Sequence, residues 1–547
     1  MRRWLAIALV LGCEHKPEFP IARFANAPPV TLVDDRRDVP HPPAVRVSLL
    51  NSYSYDVFYE RSVTRALEVP RHQRARGVNA IDEVPDSTWF TNRSGLRPAQ
   101  VRTGPVTLEN PELHTPWTIR STSYGGTSLG FVVRDARGVK YLLKFDAKDL
   151  PEVETGVDVV VNRLLWATGF NVPEDQVVYL RPEDLVLPRD ARLEDKLGND
   201  RGQLDRAEVD RRLALVARER DGRIRGVASR WLDGKPLGGS PAEGVRSDDP
   251  NDRIAHELRR DLRGMYVVYA WLDVVDVWQG NFLDMWQADP SEPNRHYVKH
   301  YALDFGLSMG GMGSKYFDLR PGYVYRIDYG SIFGSLFTAG LVQQDFETRP
   351  RAENIPGVAT LFTASDFDPG NWRPSYPYLP FQEMDRFDAF WGTKLIAPLT
   401  RDQIHAAVEA GRFTDPRAVE YLTDTLVARQ RRTAAHWYAR VNPLDHFSAG
   451  DELCFDDLAV AQRYVPWGVR TIYSITPRDQ SGRAIAAPVW RSPERDGHVC
   501  TGFAQLGGPR HGYTIFEVTT MRSGFRGTTY VHVFRDGGVR VIGIWRA

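Results

Sequence analysis

Three oxygen-bearing side chains define the chemistry open to this chain. Asp276 and Asn281 stand five residues apart in Asp276-Val277-Trp278-Gln279-Gly280-Asn281, and Asp304 opens Asp304-Phe305-Gly306 at the end of the apolar run Tyr301-Ala302-Leu303. A carboxylate and an amide on one loop, joined by a second carboxylate from a strand, can orient an acceptor hydroxyl and hold metal ions beside a nucleotide's phosphates. Phosphoryl transfer is therefore the leading expectation. Each piece alone has an ordinary reading: Asp276 or Asn281 can cap a turn, and Asp304 can close an Asx-turn with Gly306. Their joint occurrence, in this order, is what points to a site.

Lys144 lies inside the apolar run Tyr141-Leu142-Leu143-Lys144-Phe145, where an unpaired ammonium would be costly to bury. It needs either a phosphate or an acid, and the following helix offers Asp158 as the best-placed partner, with Glu152 and Glu154 nearby. The open alternative puts Lys144 on an exposed face and leaves the acids to serve the helix N-terminus. Upstream, Tyr124-Gly125-Gly126-Thr127-Ser128-Leu129-Gly130 could fold its backbone N–H groups over phosphates, which makes Gly125, Gly126 and Gly130 candidate nucleotide contacts. No HxxxH or Cys/His ligand spacing suggests structural zinc, and no serine sits in a nucleophile elbow.

These residues need elements to position them. Gly130-Phe131-Val132-Val133 and Tyr141 to Phe145 read as a hairpin turned at Asp135-Ala136-Arg137-Gly138. Val157, Val160, Val161, Leu164 and Leu165 recur at three and four and predict a helix ending near Gly169. Residues 187–222 are heavily charged and read as a surface excursion, and 226–232 as a buried strand. Asp249-Pro250 predicts the start of a helix whose apolar stripe, Ile254, Leu258, Leu262, Tyr266 and Tyr269, runs up to the Asp276 loop. More helices are expected over 381–440, with Thr400 and Gln403 at capping-box spacing. The last hundred residues alternate, as in Thr529 to Phe534 and Val539 to Ile544 around Asp536-Gly537-Gly538, and read as a separate all-β domain.

With 547 residues, 42% apolar, the chain can bury a large core in several units. Seventy basic residues balance seventy acidic ones, so no global field favours nucleic acid. Arg2 and Arg3, a short apolar run and Cys13 read as an export signal. Val10-Leu11-Gly12-Cys13 resembles a bacterial lipobox, which implies lipidation at Cys13 and a membrane anchor facing the periplasm or exterior of a bacterial envelope. Cys454 and Cys500 could then pair in an oxidising compartment, or stand as two buried thiols. The expected organisation is a signal peptide over 1–13, a Pro-rich tether or arm over 14–77, an N-terminal extension with a small lobe over 78–235, a helical lobe over 236–440 and a β-domain over 441–547.

Residues 78–440 resemble the atypical kinase superfamily that includes HipA-like kinases and the phosphatidylinositol 3- and 4-kinases. The likeness rests on Asn79 to Phe90, Leu143-Lys144-Phe145-Asp146, Gly169 to Pro173, Asp276 to Asn281 and Leu303-Asp304-Phe305-Gly306. It implies an α+β fold, a two-lobed protein-kinase-like core with a small β-rich lobe and a larger helical one. It also implies that Lys144 binds phosphates of ATP, that Asp158 stands where the family tends to carry Glu, that Asp276 is catalytic, and that Asn281 and Asp304 hold Mg²⁺. The chain departs from the family at Trp278, where a basic residue usually approaches the γ-phosphate, and losing that cation removes charge stabilisation. An exported kinase acting on a protein or small hydroxyl acceptor, a pseudokinase that binds a ligand without transfer, and a structural envelope protein are the three readings this leaves.

Overall fold

The computed structural model describes residues 23–46, 56–64, 73–123, 129–195, 199–466, 468–507, 509 and 511–547. Cys13, Gly125 and Gly126 lie outside them. The chain divides into two compact units, one of 1–29, 79–82 and 441–547 and the other of 30–78 and 83–440. It is a mixed α+β protein whose C-terminal region is built mainly of strands.

The larger unit carries a π-helical segment at Asp56–Thr64 and then the short α-helix α1 (Pro98–Thr103). A sheet then forms from β1 (Trp117–Thr122), β2 (Gly130–Arg134), β3 (Lys140–Phe145), β4 (Asp175–Leu180), β5 (Leu185–Val186), β6 (Arg192–Glu194), β7 (Asp200–Gln203) and β8 (Ile224–Arg230), in the order β4-β8-β3-β2-β1-β6-β7, with β5 also on β1. The β2–β3 hairpin turns at Gly138, whose φ of 84° suits a residue without a Cβ. Strand alternation sends Tyr141, Leu143 and Phe145 into a core with Trp117, Ile119 and Phe131, so Leu142 and Lys144 take the opposite face. Helix α2 (Val153–Ala167) covers that face. Its Val159 meets Val177 and Val227 of the sheet, while Val157, Val160, Val161, Leu164 and Leu165 enter the main hydrophobic core. Each such side chain contributes roughly 1.5–3 kcal/mol.

Between β7 and β8, helix α3 (Arg206–Leu213) corrects the expectation of a purely superficial excursion: Val209 and Leu213 are buried in the sheet's core. The arm also packs. Val39 and Asp35 are buried, and Asp35 accepts bonds from the Thr88 amide at 2.8 Å and its hydroxyl at 2.9 Å.

After β9 (Lys235–Pro236), helix α4 (Arg260–Leu272) is buried along its whole length. It starts later than Asp249-Pro250 suggests. Asp249 instead takes the Asn251 amide, and Asp252 takes the Arg246 amide and the His256 ring. Such local side-chain bonds offer the backbone an alternative to helix. Beyond α4, the antiparallel pair β10 (Phe282–Ala288) and β11 (His296–Ala302) leads to Asp304. Then come α5 (Gly311–Tyr316), α6 (Tyr329–Phe337), α7 (Leu379–Gln382), α8 (Arg386–Ile396), α9 (Arg401–Ala410) and α10 (Pro416–Tyr438). Thr400 and Gln403 form the expected capping box on α9. A Cβ on Gly392 of α8 would strike the Gly264 carbonyl of α4, and one on Gly264 would strike the Trp391 ring, so the absence of both lets the helices approach closely.

In the smaller unit, β12 (Leu444–Ala449), β13 (Glu452–Asp457) and β16 (His498–Gly502) form one sheet, and β14 (Ile472–Arg478), β15 (Val489–Arg491), β17 (Gly512–Arg522), β18 (Phe525–Arg535) and β19 (Val539–Arg546) another. They close over a core that includes Leu453, Phe455, Ile475, Phe516 and Val531. Cys454 and Cys500 occupy paired positions on β13 and β16 and are disulfide-bonded. Among the described residues no helix is long and apolar enough to cross a membrane.

Candidate functional site

Asp304 stands two residues past β11 with φ 62°, a conformation that costs a side-chain-bearing residue energy and must be held by its surroundings. The holding contacts are visible on both sides. The Ala302 amide donates to the Asn171 carbonyl and the Leu303 amide to the Asn281 carbonyl, both at 2.9 Å, and Phe305 is fully buried in the main core. Gly306 then lies against the Glu154 carbonyl and the Asp158 carboxyl on α2.

This geometry brings Asp304 to Lys144: Nζ and Oδ1 are 2.6 Å apart. Burial works against the ammonium, but the charges of Asp304 and Asp158 overcome it and raise its pKa. Lys144 in turn is the main reason the Asp304 carboxyl titrates below its usual range. Asp158 does not make the direct contact expected of it. It is buried, and burial together with the neighbouring charge of Asp175 raises its pKa. Two buried carboxyls whose charges act on each other favour a proton on one of them. Asn162 Nδ2 fixes Asp175 Oδ2 at 2.8 Å. The neighbouring acids are engaged elsewhere: Glu152 accepts from the Thr414 amide at 2.9 Å, and Glu154 pairs with Lys315 at 2.8 Å.

Asp276 and Asn281 follow α4, whose last turn is reversed by Asp273 at φ 52°. Asp273 earns its place through two bonds, Oδ1 accepting from the Trp372 indole at 2.8 Å and Oδ2 from the Gly310 amide at 3.2 Å. Asn281 Nδ2 donates to the Asp276 carbonyl at 2.8 Å and locks the loop. The Asp276 carboxyl is pushed up to about 6 by burial and then by the negative charge of Asp304, against the pull of Asn281, Arg326 and Lys144. Lys144, Asp158, Asp276, Asn281 and Asp304 are thus brought together in one unit.

Gly130 opens β2, as its strand signal suggested. It sits on β2 opposite Lys144, where a Cβ would strike the Leu143 carbonyl, so its part is close strand packing. Arg326 is the charged neighbour that sequence reasoning missed. Its amide donates to the Ser375 carbonyl and the Ser375 amide to the Val275 carbonyl, both at 2.7 Å, which ties it to the residue before Asp276. Fifty residues of intervening chain carry no signal for that approach. Among the described residues, the one cluster of His, Cys, Asp and Glu with metal-binding spacing is Cys454, His498 and Cys500, whose sulfurs are already joined to each other.

No family model matches this chain, and no curated protein does either. Among solved structures, the chain overlaps the proinflammatory kinase CtkA of Helicobacter pylori at 13% identity and a TM-score of 0.30, over 58% of this chain and 92% of that one. A Golgi casein kinase with Mn and ADP bound overlaps at 12% identity and 0.29, over 59% and 72%. A second structure of the Golgi casein kinase gives 10% and 0.29, over 74% and 91%. Likeness at this level carries no argument about activity, so the site must be judged by its own geometry.

Proposed function

We propose that this chain is an exported, lipid-anchored kinase-like protein that transfers the γ-phosphoryl group of ATP to a hydroxyl of a protein or small molecule. The observation that carries this reading is the 2.6 Å contact of Lys144 with Asp304, beside Asp276 and Asn281. A strand lysine and, ion-paired with it, a carboxylate just past a strand's end are the groups that would hold the two ends of a metal–nucleotide complex.

Asn281 and Asp304 offer hard oxygen donors of the kind Mg²⁺ takes, and the Asn281 amide group is turned so that its nitrogen is already used. When bound there, Mg²⁺ would neutralise phosphate charge. Lys144 would orient the phosphates, and Asp276, ionised at neutral pH with a pKa near 6, would orient the acceptor hydroxyl and receive its proton. Arg326 would supply the cation that Trp278 does not. Cys13 would carry the lipid, which places the protein at the bacterial envelope.

One observation favours a pseudokinase instead: Trp278 spreads its ring across Gly280, where an active site of this kind would want a cation. The deciding experiment incubates the full chain with γ-labelled ATP and Mg²⁺ over a broad acceptor panel, beside an ATP-dependent thermal shift. Binding with transfer supports the kinase, and binding without transfer the pseudokinase. Absence of both removes the proposal. Palmitate labelling that vanishes in Cys13→Ala tests the anchor.

A further inference from the structure

A cavity of about 660 Å³ opens in the larger unit between the end of α2, the segment joining β8 to β9 and the β10–β11 pair. None of Lys144, Asp158, Asp276, Asn281 or Asp304 lines it. Its walls include Trp166, Trp231, Trp286 and Tyr301, with Arg93 and Lys299 among its cations. That volume lies in the range that encloses a small-molecule ligand.

The charge in this cleft is unbalanced. Its carboxylates, Glu174 and Asp233, are both taken by Arg230, at 2.5 Å and 3.1 Å. Lys299 has no ion pair among the described residues. The charges that act on it are those of Arg36 and Arg93, both of its own sign, and burial together with them pushes its ammonium down to about 8. The one ring beneath it is Tyr301, 5.2 Å from Nζ. A half-buried lysine with two arginines as its charged neighbours and no carboxylate partner sits at an electrostatic disadvantage, and such a charge is what an anion site requires before its ligand arrives.

The walls are held in place independently of any ligand. Trp286 stacks on His296 at 4.1 Å between ring centres and ties its indole N–H to the Val39 carbonyl at 2.8 Å. Arg93 lies 4.8 Å over the Trp166 ring while donating to the Trp166 carbonyl at 2.8 Å. Lys140 sits 3.3 Å over Trp231. Fixed aromatic walls select a flat, apolar body at little entropic cost.

We propose that this cleft binds a small organic anion with a flat apolar body, its phosphate or carboxylate on Lys299 and Arg93 and its ring against the tryptophans. The site is separate from the one built on Lys144. Calorimetry on the full chain without metal tests it, using phenyl phosphate, benzoate, inorganic phosphate and phenol as probes. Phenyl phosphate or benzoate is expected to bind one per chain, more tightly than inorganic phosphate or phenol, and whichever aryl anion binds better identifies the headgroup. Lys299→Met and Lys299→Gln should each weaken binding by roughly tenfold or more, as loss of a charged hydrogen bond does. Lys144→Met should leave binding unchanged. The unliganded melting temperature should hold or rise in both Lys299 variants, because like-charge repulsion is relieved. Binding that survives in Lys299→Met and Lys299→Gln, binding that disappears in Lys144→Met, absence of binding by either aryl anion, or a fall of several degrees in unliganded melting in both Lys299 variants would each overturn the proposal.

Discussion

Asp304→Asn separates a ligand-holding ion pair from a structural one. At 2.6 Å the attraction between Lys144 and Asp304 is ~6 kcal/mol at an effective dielectric of about 20. Most of it does not survive as stability. The Asp304 side chain is 43% exposed and that of Lys144 19%, so solvent screening and the desolvation of both charges leave about 1 kcal/mol. After the substitution Lys144 still lies in the field of Asp158, which softens the loss further. For a unit of this size about 1 kcal/mol moves the melting temperature by roughly 2 °C.

The effect on nucleotide binding should be larger. ATP with Mg²⁺ at a hundred times its dissociation constant stabilises the native state by about 2.7 kcal/mol, a shift of roughly 5 °C. Scanning fluorimetry should therefore show an ATP-dependent shift in the wild type that Asp304→Asn and Lys144→Met both lose, with unliganded melting only slightly lower. A shift that persists in Asp304→Asn would refute the assignment of this carboxylate to the nucleotide. Unliganded melting that falls by ten degrees or more would instead make the pair a structural anchor.

Gly169→Ala should cost about 3 kcal/mol or more in urea unfolding, because φ 110° excludes a side chain and a Cβ there would enter the Phe90 ring. Cys454→Ser with Cys500→Ser should destabilise the smaller unit by about 4 kcal/mol, the entropy of a cross-link across 46 residues, read from its own melting transition. His532 is fully buried, burial pushes its pKa down to about 4, and its Nε2 has no partner. Below the unfolded value of about 6.5 only the unfolded chain takes this proton, so the smaller unit should lose up to about 3 kcal/mol as pH falls from 6.5 to 4. His532→Gln should flatten that slope.

How much of this was readable in the sequence depended on how local each cause was. The β2–β3 hairpin and α2 follow from Gly138 and from the spacing of Val157 to Leu165, which act within one turn or one face. The convergence of Asp276, Asn281 and Asp304 was legible as a pattern because the loop and the strand lie close in sequence. The partner of Lys144 was not. Asp158 is on the right helix, but the charge of Asp175, from a strand that sequence reasoning did not connect to it, raises its pKa together with burial, and Asp304 reaches the lysine first. Tertiary contacts decided that competition. The start of α4 failed for the opposite reason, since bonds within a few residues of Asp249 and Asp252 overrode a plausible cap. The isolation of Lys299 could not be seen at all, because it depends on Arg230, from another strand, drawing off the cleft's two carboxylates, Glu174 and Asp233.

On the proposed reading, Arg326 and Trp278 together decide whether the site can transfer a phosphoryl group. A transferring γ-phosphoryl group needs positive charge beyond Lys144, and the position two after Asp276 holds an indole. Arg326 is one of the cations whose charge acts on Asp276, and its backbone is fastened through Ser375 to Val275, so its charge reaches the loop from another segment. If that cation has replaced the missing one, Arg326→Met should lower transfer from ATP by about a hundredfold, the scale of losing one charge-stabilising donor. Trp278→Arg in the Arg326→Met background should then recover at least about tenfold, because either position would serve the same phosphate. Trp278→Arg alone should change little. A large gain from Trp278→Arg alone, with no loss from Arg326→Met, would show that the tryptophan marks lost chemistry and that the fold persists for binding.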